Sequence, residues 1–120
     1  MDRRNLILAA LLIALVIALV PPAVAVGRPR EPEDRALRAV QRIKMVDNAY
    51  RPRSVSVPRG TRVVWVNRGN LIHSSTSTRG LWDSGLLDPG EAFSRVFRRA
   101  GTFRFTCTIH PTMRGRIVVT

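Results

Sequence analysis

Cys107, His110 and Met113 stand three residues apart in the stretch Cys107-Thr108-Ile109-His110-Pro111-Thr112-Met113. The stretch contains the only cysteine of the chain, one of its two histidines and one of its three methionines. A thiolate, an imidazole and a thioether are soft or borderline metal ligands, and one tight loop can present all three. A strand that ends at Cys107 followed by a turn would fold His110 back beside the sulfur, with Met113 closing the loop. A fourth ligand must come from elsewhere, and the only other histidine is His73.

The donor set selects the metal. Two imidazoles and a thiolate in a trigonal arrangement, with a weak axial thioether, describe a blue-copper electron-transfer site, and the affinity of divalent ions for such donors peaks at Cu(II). Zinc also accepts Cys and His. Its structural sites use four strong ligands, however, and its catalytic sites keep water in the open position, so a methionine in fourth place favours copper. Each residue alone has an ordinary structural explanation, since a free cysteine is commonly a small buried hydrophobe and a methionine is commonly core filler. The combination, using both histidines of the chain, points to a copper site formed by His73, Cys107, His110 and Met113.

Strands must position these groups. Gln41, Ile43 and Met45 alternate with Val40, Arg42, Lys44 and Val46, the two-residue period of a half-buried strand. Ser54-Val55-Ser56-Val57 runs into the turn Pro58-Arg59-Gly60, and Thr61 to Asn67 is rich in β-branched and aromatic residues around Trp65, a core candidate. Arg68-Gly69-Asn70 and Asp88-Pro89-Gly90 read as turns. Ser74 to Thr78 is compatible with a strand, and Glu91 to Phe97 alternates. Thr102 to Cys107 places Phe103, Phe105 and Cys107 on one face. Gly115 to Thr120 supplies a last strand. Many short strands with regular turns predict an all-β sandwich.

The amino-terminal part reads differently. Arg3 and Arg4 precede an uninterrupted apolar run of 15 residues, Leu6 to Val20, followed by Pro21-Pro22 and the small-residue pattern Ala23-Val24-Ala25. This is the pattern of a signal peptide, with cleavage expected after Ala25. Counted through Val26, the run reaches 21 residues and describes an uncleaved anchor associating the chain with a membrane through residues 6–26. Residues 1–25 are therefore read as signal peptide or membrane anchor, 26–38 as a charged, proline-bearing linker and 39–120 as one copper-binding domain. The arginines near the start direct the domain outward, so the expected location is extracytoplasmic: periplasmic, secreted, or anchored and facing out. A single cysteine cannot form an internal disulfide, and a bound copper ion would protect the thiol in an oxidising compartment.

From about Val40 to Thr120 the chain resembles the cupredoxins of the plastocyanin/azurin type. The resemblance is carried by Val57-Pro58-Arg59-Gly60-Thr61, Val64-Trp65-Val66-Asn67 and His73. It continues through Asp83-Ser84-Gly85-Leu86-Leu87-Asp88-Pro89-Gly90-Glu91 and Gly101-Thr102-Phe103-Arg104-Phe105-Thr106-Cys107 with its loop. It implies a Greek-key β-sandwich holding one type 1 copper ion, with His73 as the first ligand and Cys107, His110 and Met113 as the others. Two residues between His110 and Met113 make a loop most similar to that of amicyanins. Two positions depart from the pattern. Ile109 stands where amicyanins carry proline before the loop histidine. Ser74 stands where many relatives carry an asparagine that ties the two ligand loops together, and a serine hydroxyl has a shorter reach.

The expected function is that of a single-electron carrier between redox proteins, cycling Cu(I) and Cu(II); copper buffering or delivery without redox turnover is the alternative. Delivery sites usually expose flexible Met- or His-rich segments, and this chain has none. Enzymatic activity is not expected, since four protein ligands leave no open coordination position. The formal net charge is +12, or +11 without residues 1–25, which suits an acidic redox partner or an anionic membrane surface. Its arginines are scattered without aromatic stacking residues beside them, so nucleic acid is not expected as a partner. The domain is expected to be a monomer.

Overall fold

The computed structural model describes residue 27 and residues 39–120. Apart from Gly27, the signal-peptide, anchor and linker assignments over residues 1–38 lie outside the described residues. Within them, all regular structure is strand: β1 (Val40–Val46), β2 (Ala49–Arg51), β3 (Ser54–Val57), β4 (Thr61–Asn67), β5 (Thr76–Ser77), β6 (Ala92–Phe97), β7 (Gly101–Thr106) and β8 (Arg114–Val119). They form two four-stranded sheets in the orders β2-β1-β4-β6 and β3-β8-β7-β5. β1 runs parallel to β4 and β3 parallel to β8, and the remaining neighbours are antiparallel. The all-β sandwich expected from the sequence is the observed fold.

Side-chain alternation explains the layering. Ile43 and Met45 of β1, Val55 and Val57 of β3 and Ile117 and Val119 of β8 are buried, while Arg42, Lys44, Ser54, Ser56 and Arg116 face outward. Trp65 sits at the centre with no solvent exposure. Its ring lies 5.4 Å from Phe105, 5.7 Å from Phe93 and 5.8 Å from Trp82, centroid to centroid, within the usual range for aromatic pairs. Trp82 is a core residue as well. Its ring meets Phe97 edge-on, and its Nε1–H donates to Ser75 Oγ at 3.1 Å, pinning the segment that follows His73.

Two differences from the sequence reading bear on the site. Strand β2 was not foreseen, because three residues followed by Pro52 carry too little pattern to register. It pairs with β1 across the two-residue tip Asp47-Asn48, where Asn48 adopts φ 66°, a left-handed conformation that asparagine tolerates. The expected strand over Ser74–Thr78 is only Thr76–Ser77. Ser74 and Ser75 instead direct their polar groups into the neighbouring loops.

Candidate metal centre

Buried Asn67, at the end of β4, shapes the loop that carries His73. Its Nδ2 donates to the carbonyls of Leu71 (2.8 Å) and Leu87 (2.9 Å), and its Oδ1 accepts from Gly69 N–H. His73 and Leu87 then exchange backbone hydrogen bonds in both directions, at 3.1 and 2.8 Å. A fully buried polar side chain that satisfies two groups of the His73 loop and one of the Leu87 segment beside it fixes the path of both.

The second loop is closed at its base. Cys107 N–H donates to the carbonyl of Met113, and Met113 N–H donates to the carbonyl of His110. Thr106 Oγ1 donates to the Met113 carbonyl at 3.1 Å. Cys107 and Met113 are buried and His110 is half-buried.

These loops bring His73, Cys107 and His110 together, one donor atom from each lying within 4.8 Å of the others. Cys107 Sγ is 3.6 Å from His110 Nδ1, and the two imidazole rings are 5.1 Å apart. Trigonal N and S ligands bonded at about 2.0–2.3 Å to one ion lie roughly 3.5–4 Å from one another, so the spacing suits a shared metal. Met113 is buried at the end of the same loop.

His73 supplies the most direct sign of a metal-binding role. It has no solvent exposure, and its Nδ1 has no hydrogen-bond partner among the described residues. A buried polar atom without a partner calls for an explanation, and a metal ion is one. Its other nitrogen, Nε2, lies 3.1 Å from Asp47 Oδ1. This is the arrangement in which a carboxylate fixes the tautomer and ring orientation of a ligating histidine. The same carboxylate accepts from the amides of Asn70 and Leu71. The His73 hydrogen bond, assisted by those amides, holds Asp47 below the ordinary carboxylate range. Gly69 leaves the room for it: a Cβ there would overlap Asp47 Oδ1 and come within 3.0 Å of His73 Nε2.

Ser74 ties the two loops together. Its N–H points at Cys107 Sγ at 3.4 Å, its Oγ accepts from Thr108 N–H at 3.0 Å, and its carbonyl accepts a 2.6 Å hydrogen bond from the Tyr50 hydroxyl. The hydroxyl does reach across the site despite its length. Burial, with a smaller contribution from the Cys107 sulfur, pushes the Tyr50 phenol well above its ordinary range.

The sequence reading missed Asp47 and Gly69. Asp47 lies on the tip of a hairpin that was not foreseen, and Gly69 registered only as part of a turn.

A family model described as a cupredoxin-like domain matches residues 8–119. The chain belongs to the cupredoxin-like family. An amicyanin of Paracoccus denitrificans is 36% identical over 75 residues, covering 58% of this chain and 57% of that protein. This cupredoxin thus spans little more than half the length of that relative. A purple cupredoxin from Nitrosopumilus maritimus superposes with a TM-score of 0.63 at 26% identity, covering 67% of this chain and 99% of the other. A copper-containing nitrite reductase from Thermus scotoductus superposes with a TM-score of 0.62 at 27% identity over 67% of this chain, but over only 22% of the reductase.

Proposed function

We propose that this cupredoxin is a type 1 copper protein that carries single electrons between redox proteins outside the cytoplasmic membrane. His73 Nδ1, Cys107 Sγ, His110 Nδ1 and the Met113 thioether are the proposed ligands. The observation that carries the reading is the buried, unpartnered Nδ1 of His73 in the cluster with Cys107 and His110. The resemblance to an amicyanin supports it.

Bound copper supplies a one-electron Cu(I)/Cu(II) couple. The protein's part is to hold the donors still, so that neither oxidation state can impose its own geometry. Asn67 and Asp47 fix His73, while Ser74 and the closed Cys107–Met113 loop fix Cys107. His110, half-buried, gives the route by which an electron enters or leaves. The residues flanking the two histidines suit brief docking there: Ile72 and Ile109 are 39% and 48% exposed, and Pro111 is exposed as well.

Carriage is preferred to copper delivery because the donors sit on strand ends and bonded loops rather than on a flexible segment. It is preferred to enzymatic activity because the likeness to nitrite reductase extends to about a fifth of that enzyme. Residues 1–25 act as signal peptide or anchor, 26–38 as linker and 39–120 as a monomeric domain, with acidic redox proteins as partners and no role for nucleic acid.

The test is to add Cu(II) to the purified protein and record visible absorption and electron paramagnetic resonance, then repeat with Cys107→Ser. Intense sulfur-to-copper charge transfer in the unmutated protein alone supports the reading. A colourless cupric form, or a spectrum unchanged by Cys107→Ser, overturns it. Reduction and reoxidation by a small redox partner, without loss of copper, separates carriage from delivery.

A further inference from the structure

The outer face of the sheet β3-β8-β7-β5 holds a cavity of about 720 Å³ whose lining includes Arg53, Arg104, Arg114 and Arg116 together with Ser54 and Thr78. Arg104 and Arg116 are direct cross-strand partners in the β7–β8 register. Like charges placed opposite one another on neighbouring strands destabilise a sheet unless something neutralises them. Among the described residues no carboxylate forms an ion pair with any of the four.

Two of the four guanidiniums are held by their inner nitrogens. Arg116 Nε donates to Ser54 Oγ at 2.9 Å, and Arg114 Nε donates to the carbonyl of Pro111 at 3.0 Å. These bonds orient the planar groups and leave their terminal nitrogens for a ligand. Guanidinium forks match the oxygens of phosphate groups two at a time, more tightly than an ammonium does. The volume falls in the range of small-molecule sites.

We propose that this cavity is a binding site for a multivalent phosphate-type anion, with Arg104 and Arg116 as its principal contacts and the Ser54 hydroxyl, which accepts from Arg116 and keeps its own proton to donate, as a further hydrogen-bonding group. Four positive charges around one concavity exceed what a single carboxylate neutralises, which selects a polyanion. The phosphates can belong to a free anion or to clustered lipid headgroups.

A second basic pocket provides an internal control. It lies against the other sheet and is lined by Arg42, Lys44, Val46, Arg51, Pro52 and Arg68, with no hydroxyl side chain. Removing two arginines there changes the net charge equally.

The experiment uses the full chain, without copper, in neutral-detergent micelles. Amide NMR shifts are followed as inorganic pyrophosphate is added in one arm and as phosphatidylglycerol is mixed into the micelles in the other. Saturable shifts at Thr78, Arg104 and Gly115 are expected in at least one arm. Pyrophosphate alone identifies a free anion, and phosphatidylglycerol alone identifies headgroups. Losing charge-assisted bonds in Arg104→Ser/Arg116→Ser weakens binding by about tenfold or more, whereas Arg42→Ser/Arg51→Ser leaves it within about twofold. Arg104→Lys/Arg116→Lys keeps the charge and the fold but loses the forks, and its affinity falls between the two. No saturation in either arm, or equal weakening by the two serine pairs, overturns the proposal. Because no metal is present, the outcome is independent of the copper reading.

Discussion

Asp47 Oδ1 lies 3.1 Å from His73 Nε2, so the carboxylate grips the imidazole from the side opposite its unpartnered Nδ1. The two residues are 26 positions apart and meet because a two-residue hairpin tip between β1 and β2 carries Asp47 to the His73 loop.

Replacing Asp47 by Ala removes both the hydrogen bond and the negative charge. In the copper-loaded protein the less basic imidazole favours Cu(I), so the reduction potential rises and Cu(II) affinity falls by roughly 10–100-fold, the usual scale for such outer partners. Asp47→Asn, which can still accept a hydrogen bond, shifts both in the same direction but less. Redox titration and competition with a Cu(II) chelator measure the two quantities; an unchanged potential in Asp47→Ala would show that the carboxylate only shapes the loop.

Gly69→Ala puts a methyl group where the Asp47 carboxylate sits. Overpacking of this kind costs about 1–3 kcal/mol. The cost is smaller in an Asp47→Ala background, because the group in the way is gone. A double-mutant cycle in urea is expected to give a coupling of about 0.5 kcal/mol or more.

Tyr50 predicts an alkaline limit to stability. Its phenol, the only one in the chain, is buried and donates to Ser74 O, and burial holds it protonated well above pH 10. Above about pH 10 the unfolded chain releases this proton while the folded chain keeps it. The folded state then binds more protons, so stability present below pH 10 is lost as pH rises, by about 1.4 kcal/mol per pH unit. Tyr50→Phe lacks this slope, though it costs about 1–3 kcal/mol at neutral pH by leaving the Ser74 carbonyl unpaired. Tyrosinate absorbance should appear together with the loss of tertiary circular dichroism.

Gly115 lies over Phe105, whose ring stands edge-on to Tyr50 at 4.7 Å. A Cβ at position 115 would collide with the Phe105 ring and come within 3.0 Å of the Arg53 carbonyl. Gly115→Ala is expected to lower stability by about 1–3 kcal/mol in denaturant titration. Phe105→Leu should relieve part of that loss when combined with it, at its own cost in aromatic packing.

Strands β1, β4 and β7 were legible because their patterns are strong: Ile43 and Met45, Trp65, and Phe105 with Cys107 just beyond it all lie inside as those patterns require. The convergence of His73 with Cys107 and His110 was legible from scarcity, since a chain with two histidines and one cysteine offers few combinations. Asp47 was not legible. Its contact with His73 depends on a three-residue strand and on the absence of a side chain at Gly69, neither of which leaves a periodic trace. Strand β5 came out shorter than its polar run because Ser74 and Ser75 bond to loops instead of to a neighbouring strand.

Ser74 has a consequence for how the centre fluctuates. Its amide, carbonyl and hydroxyl reach, respectively, Cys107, Tyr50 and Thr108, so the Cys107 sulfur cannot drift without disturbing a tyrosine wedged in the aromatic core. Breathing of the loop alone is thereby suppressed, and deuterium uptake at Ser74 should keep pace with that at Trp65. An incoming molecule meets a preassembled surface, with no ordering step to slow the encounter.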